Sequence, residues 1–202
     1  MLTLSVPESE RALSKARVEI LAVFGAGKTT LAKRIAESDD HVLGEEHDRN
    51  PFWGDERAIR SLGYLGYDLS FLIQHAHLVT TAPETGVAIC DWSFPTDLLW
   101  ASLRLDVDLD AYKAVNEALM LRVGLPEAYL FLRQSPDTII ERLERRSRKS
   151  EASFKPFVQT ACEKLEAIAE KLPSDRTLIV DDDFSSSDLT RWLNIREGFC
   201  FE

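Results

Sequence analysis

Long apolar runs are missing from this chain of 202 residues. None approaches the ~20 residues that a membrane-spanning helix needs, so no span is expected. The opening stretch, MLTLSVPESERALSKAR, lacks the apolar centre of a signal peptide. Cysteine is scarce. Cys90, Cys162 and Cys200 are scattered, odd in number and form no C-x-x-C pair. That excludes a disulfide frame and a cysteine zinc site, and it points to free thiols in a reducing compartment. Positive charge is outnumbered: 24 Lys and Arg face 34 Asp and Glu, a net charge of -10. General nucleic-acid binding is therefore not expected, because a phosphate backbone wants a net positive surface. Repeats and low-complexity segments are absent too. The expectation is a cytoplasmic protein folded as one domain over residues 1–202, with neither a membrane nor a nucleic acid as partner.

What is present is an alternation of short β-branched runs with longer helical patterns. RVEILAVF (17–24), HVLGEE (41–46), GVAICD (86–91), EAYLFLR (127–133) and RTLIVDD (176–182) read as strands. Between them, KTTLAKRIAE, YLGYDLSFLIQHAHLVTTA (64–82), DLLWASLRL, DAYKAVNEALMLRV, SPDTIIERLERRSR and FVQTACEKLEAIAEKL (157–172) read as helices. Ser135 is placed to cap the helix that begins at Pro136. This order predicts an α/β fold, a three-layer α/β/α arrangement around a five-stranded parallel sheet. Ligands of such sheets sit at the carboxyl ends of the strands, where the polar clusters of this sequence fall.

The first cluster is LAVFGAGKTTLAKRIAE, residues 21–37. It follows a strand, opens a helix and matches the phosphate-loop pattern G-x-x-x-x-G-K-[ST], except that Ala22 stands at the first glycine. Gly25 and Gly27 free the backbone to turn its N–H groups inward, across Ala26, toward phosphate oxygens. Lys28 is placed to reach the outer phosphates, and Thr29 to offer a hydroxyl to Mg²⁺, with Thr30 beside it at the helix start. The helix N-terminus adds its dipole. Alanine at position 22 fits provided that site needs no positive φ.

Further on, Glu45 and Glu46 end the second strand, facing the loop across the cleft. A general base for an attacking hydroxyl belongs there, and a solvated acidic turn fits the same residues.

With these residues in view, the sequence resembles the deoxynucleoside kinases of the bacterial deoxyguanosine/deoxyadenosine kinase branch. AVFGAGKT, EEHDRNPF, DWSFPTD, RLERRSRKSE and VDDDF stand in the order of that family's motifs, from about Arg17 to Phe184. The resemblance implies a P-loop kinase fold with an arginine-rich lid at about 145–153, ATP and Mg²⁺ as ligands, and a nucleoside as small-molecule substrate. By it, Glu46 matches the base that activates the nucleoside 5′-hydroxyl, with Glu45 as the alternative. Asp91 matches the acid that orients Mg²⁺ through water; a polar residue closing a strand is its plain alternative. Arg142 matches an arginine lying against the adenine, and Arg146 and Arg148 match two that close over the phosphates. Arginine suits that task because its fork stays charged and binds phosphate oxygens in pairs. A basic run at a helix end also favours the helix dipole. Glu151 falls on a lid carboxylate. Asp183 and Phe184 fall in the loop whose backbone reads adenine, a loop that also suits an acidic cap for a helix starting near Ser187. The helices holding Phe71 and Trp100 match those through which the family often dimerises, so a homodimer is a further expectation.

The departures from the pattern lie on the acceptor side. Trp92 stands where the family has the arginine of a D/E-R-S motif, and an indole carries one donor and no cation. The positions that read the nucleobase fall on Asp68 and His75, with Asp97, four after Ser93, as the acidic partner. A His75–Asp97 pair is able to bond a base edge, while Asp68 prefers donors. His75 and His77, two apart, diverge on a helix and do not share a metal. Three readings follow: a (deoxy)nucleoside kinase, a nucleotide-binding pseudoenzyme of the same family, and a P-loop kinase for a nucleoside monophosphate.

Overall fold

The computed structural model describes residues 16–44, 49–53, 55–146 and 155–198, with side chains to 194. Five strands form one sheet in the order β2-β3-β1-β4-β5, with every pairing parallel. They are β1 (Arg17–Leu21), β2 (His41–Leu43), β3 (Ala88–Cys90), β4 (Ala128–Leu132) and β5 (Thr177–Val180). All five fall inside the expected runs, each shorter by one or more residues at its ends. β1 and β4 are buried at every position, as strands covered on both faces must be.

The helices are α1 (Lys28–Ile35), α2 (Glu56–Thr81), α3 (Phe94–Arg104), α4 (Leu109–Val123), α5 (Pro136–Arg146), α6 (Val158–Ala169) and α7 (Ser186–Gly198). A short 3₁₀ turn, Lys155–Phe157, leads into α6. Two apolar clusters result. The larger joins β1 and β4 to α1, α5 and α6; the second joins α2, α3 and α4 around the end of β3. Among the described residues no helix is long and apolar enough to cross a membrane.

Local chemistry sets the element ends. Ser135 caps α5 as expected, accepting from Thr138 N–H at 3.1 Å. The cap of α7 is Ser185 rather than the acidic run before it. Ser185 Oγ accepts from Asp188 N–H at 3.4 Å and Asp188 accepts from Ser185 N–H at 3.1 Å, a reciprocal box. The Ser185 hydroxyl, donating to Asp188 Oδ2 at 2.6 Å, and then the Ser185 N–H hold the Asp188 carboxyl below its ordinary range. α2 begins at Glu56 rather than 64, because Asp55 caps it by accepting from Arg57 and Ala58 N–H. The expected start coincides instead with a break inside it, where Gly63 has φ 66°. Of the two aromatic residues tied to dimer formation, Phe71 is buried and Trp100 half-buried; the exposed apolar side chains of α2 are Leu62, Tyr64 and Ile73.

Gly86, just before β3, gives a sharp prediction. Its φ is 68°, and a Cβ there would lie 1.8 Å from the Asp39 carbonyl oxygen. The same crossing carries His41 N–H to Val87 O and Val87 N–H to Asp40 Oδ1, both at 2.9 Å. Gly86→Ala therefore has to separate β2 from β3. A loss of about 2 kcal/mol or more in denaturant unfolding is expected, from positive φ and the broken contacts together.

Candidate functional site

The loop between β1 and α1 has the form a phosphate cradle needs. Gly25 and Gly27 take φ of 86° and 111°, a region costly for any residue with a Cβ. Gly27 is the N-cap of α1, and no side chain caps that helix. Its first-turn N–H groups thus point along the dipole toward the loop, the geometry that suits an anion. Ala22, in place of the first glycine, is fully buried and directly follows the central strand. Its carbonyl accepts from Lys28 Nζ at 3.4 Å, which folds the lysine back over the loop. Ala26 is buried, while Thr29 and Thr30 are exposed.

The two residues expected at the metal meet. Thr29 Oγ1 donates to Asp91 Oδ2 at 2.7 Å, from the first turn of α1 to the residue after β3. A hydroxyl and a carboxylate side by side are hard oxygen donors, suited to Mg²⁺, which takes one or two protein groups and leaves the rest to water and phosphates. In keeping with that sparse donor set, the described residues hold no group of three or more His, Cys, Asp or Glu able to bind a metal unaided.

Arg142 closes the other flank of the loop. It reaches from α5 to donate to the Ala26 carbonyl at 2.5 Å and to Asp182 Oδ2 at 2.6 Å. The acid it pairs with is Asp182; of the two residues expected in the adenine loop, Asp183 is exposed, and Phe184 is half-buried and packs on the larger cluster. α5 also lays Leu143 on Gly25, where an added Cβ would come within 2.8 Å of the leucine Cδ2. Arg146, at the end of α5, is exposed. Glu45, Glu46, Arg148 and Glu151 lie outside the described residues.

The acceptor-side residues come together as well, but inside the second apolar cluster. His75 Nδ1 lies 2.7 Å from Asp97 Oδ2. The His75 ring stacks on Trp92 with centroids 4.0 Å apart and planes within 6°. Trp92 in turn meets Phe94 edge-on at 5.7 Å. His75 is 0% exposed and Trp92 2%, so the indole packs against the helices rather than standing in an open cleft. Trp92 Nε1 has no hydrogen-bond partner among the described residues. His77, two residues on, is exposed, so the two histidines do diverge.

Asp68 also has a partner that the sequence reading missed. Arg104 of α3 forks onto its carboxylate, with Nε at 3.3 Å from Oδ2 and Nη2 on Oδ1, and lies over the rings of Tyr67 and Trp100. Burial pushes the Asp68 carboxyl above its ordinary range, an effect the Arg104 bonds and charge oppose and do not overcome. Trp92 thus packs on aromatic rings, and Arg104, an arginine outside the D-W-S stretch, pairs with Asp68. The only sequence signal for that pair is two opposite charges on apolar faces of neighbouring helices.

No family model and no curated protein sequence matches the chain. Solved structures do. A deoxyadenosine kinase from M. mycoides with bound dCTP is similar at a TM-score of 0.66 and 17% identity, over 91% of this chain and 98% of that one. The same kinase with dCMP and dCDP as products gives the same figures. With dATP bound, it gives 0.65 and 18%, over 92% and 100%. The chain thus shares the fold of that kinase, a five-stranded parallel sheet between helices with a glycine loop after β1, on a strongly diverged sequence.

Proposed function

We propose that the protein is a Mg²⁺-dependent phosphotransferase that moves the γ-phosphoryl group of ATP to the 5′-hydroxyl of a (deoxy)nucleoside. The observation that carries this reading is the Thr29–Asp91 contact at the mouth of a loop whose two glycines have positive φ. The nucleotides bound by the M. mycoides kinase support it. In this reading the loop N–H groups and Lys28 hold the phosphates, and Arg146 and Arg148 close over them and exclude water. Thr29 and Asp91 would hold Mg²⁺, which supplies charge neutralisation on the phosphate oxygens. Glu46 takes the proton of the 5′-hydroxyl as its oxygen bonds to the γ-phosphorus and the bond to the bridging oxygen breaks, releasing ADP.

A second reading, nucleotide binding without transfer to a nucleoside, is favoured by the burial of Trp92 on His75. One assay separates the two. Labelled phosphate is followed from γ-labelled ATP–Mg²⁺ to deoxynucleosides, ribonucleosides and nucleoside monophosphates, with wild type beside Glu46→Gln. Transfer to a nucleoside, reduced roughly 10²-fold or more in Glu46→Gln, is the result expected of a general base. Transfer to monophosphates alone would replace the acceptor, and transfer to nothing would leave the second reading.

A further inference from the structure

A charged pair runs through the most buried strand of the sheet. Arg17 and Glu19 of β1 are 3% and 0% exposed, and Arg17 Nε donates to Glu19 Oε1 at 2.8 Å. Two residues apart on a strand, they share a face. Charges so deep persist only when their remaining hydrogen-bonding capacity is also used. Here each partner serves the end of a helix. Arg17 donates to the carbonyls of Val123 and Gly124 at 3.4 and 2.8 Å, the negative end of α4. Glu19 Oε2 accepts from Phe94 N–H at 3.2 Å, the positive end of α3.

The placement at α3 matters because of what precedes it. Only residues 91–93 separate β3 from α3, and the first of them is Asp91. Asp91 is held upstream by its N–H on the Leu43 carbonyl at 3.1 Å. Downstream, Ser93 caps α3 by accepting from Thr96 N–H, but it leaves the N–H of Phe94, the first helical residue, to Glu19. The turn that aims Asp91 at Thr29 is thus pinned at one end by the sheet and at the other by Glu19.

We propose that the Arg17–Glu19 pair is a positioning device for the metal-side arm of the nucleotide site: by anchoring Phe94, Glu19 fixes the turn that sets the Asp91 carboxylate on Thr29. This rests on the nucleotide reading above. Neither residue touches nucleotide or metal, so the effect is on Mg²⁺-dependent binding rather than on binding as such.

The test compares wild type, Glu19→Gln and the double variant Arg17→Leu/Glu19→Leu. A carboxamide has one oxygen in place of the two that meet Arg17 Nε and Phe94 N–H, so Glu19→Gln loses one of the two bonds and the double variant loses both. The double variant removes both charges, a change buried pairs often tolerate without loss of stability. ADP affinity is measured by calorimetry with Mg²⁺ and with EDTA, and the Trp92 indole N–H is followed by NMR without nucleotide. The expected result is a shifted Trp92 signal and ADP affinity in EDTA close to wild type. The gain on adding Mg²⁺ should fall roughly 10–100-fold, the range for residues that orient a metal ligand. A double variant that keeps the wild-type Mg²⁺ gain overturns the proposal, as does an equal loss with and without Mg²⁺, which marks a general structural role. A wild type with no Mg²⁺ gain at all overturns the nucleotide reading together with it, and is told apart because the failure then lies in the unaltered protein.

Discussion

Trp92→Ala is expected to lower stability by about 3–5 kcal/mol, the cost of removing a large buried aromatic and leaving the cavity. The indole is 2% exposed and packs with Leu72, Ala76, Cys90, Phe94, Ala101 and Tyr112 in the second apolar cluster. Its loss also removes the stack on His75, which holds that ring over the Asp97 carboxylate. Denaturant unfolding with the slope held common to both proteins measures the loss. A cost below about 1 kcal/mol would place the indole outside the core. The comparison with Trp92→Arg is more pointed. Trp92→Arg would put a guanidinium into the apolar cluster beside the His75–Asp97 pair, where it competes with His75 for the Asp97 carboxylate. That variant should also be less stable than wild type, because a buried charge carries a desolvation cost that a stacked indole does not.

Lys28→Ala should leave stability nearly unchanged and remove nucleotide-dependent function. Lys28 is half-buried, and its side chain makes a long hydrogen bond of 3.4 Å to the Ala22 carbonyl. Nothing in the core depends on it. In phosphoryl transfer a positioned cation of this kind stabilises charge that grows toward the transition state, so a loss of roughly 10²–10³-fold in kcat/KM is expected. Unfolding and transfer measured on the same preparation check both halves. A large loss of stability with transfer intact would mean that Lys28 serves the loop rather than the phosphates.

Sequence patterns disclosed the sheet more fully than the site. The strands are apolar runs at regular intervals between helical patterns, and burial on both faces of β1 and β4 explains why those runs are nearly continuous. The phosphate loop was legible for a local reason: spacing along one turn fixes which backbone groups converge. Thr29 and Asp91 are 62 residues apart and meet because β1 and β3 are neighbours: Asp91 directly follows β3, and Thr29 lies in the helix turn that follows the β1 loop, on the side where the parallel fold gathers such residues. The start of α2 was missed because two glycines, Gly63 and Gly66, hid a helix whose cap, Asp55, was visible. Arg104 and Glu19 were not found for a different reason. Their partners are set by packing between elements, not by spacing within one. A hint existed at Glu19, a charge with Arg17 on the same face of an otherwise apolar strand. The burial of Trp92 was illegible, since an aromatic after a strand serves a cleft or a core equally well.

The central claim is that the loop from Gly25 to Thr29, with Asp91, is a working Mg²⁺–nucleotide site whatever becomes of the acceptor side. Titrating a non-hydrolysable ATP analogue into wild type and Asp91→Ala, each with Mg²⁺ and with EDTA, tests it most directly. Wild type should bind more tightly with Mg²⁺ than without, and Asp91→Ala should bind with one affinity in both conditions. No binding by wild type, or the same Mg²⁺ gain in both proteins, would contradict the account.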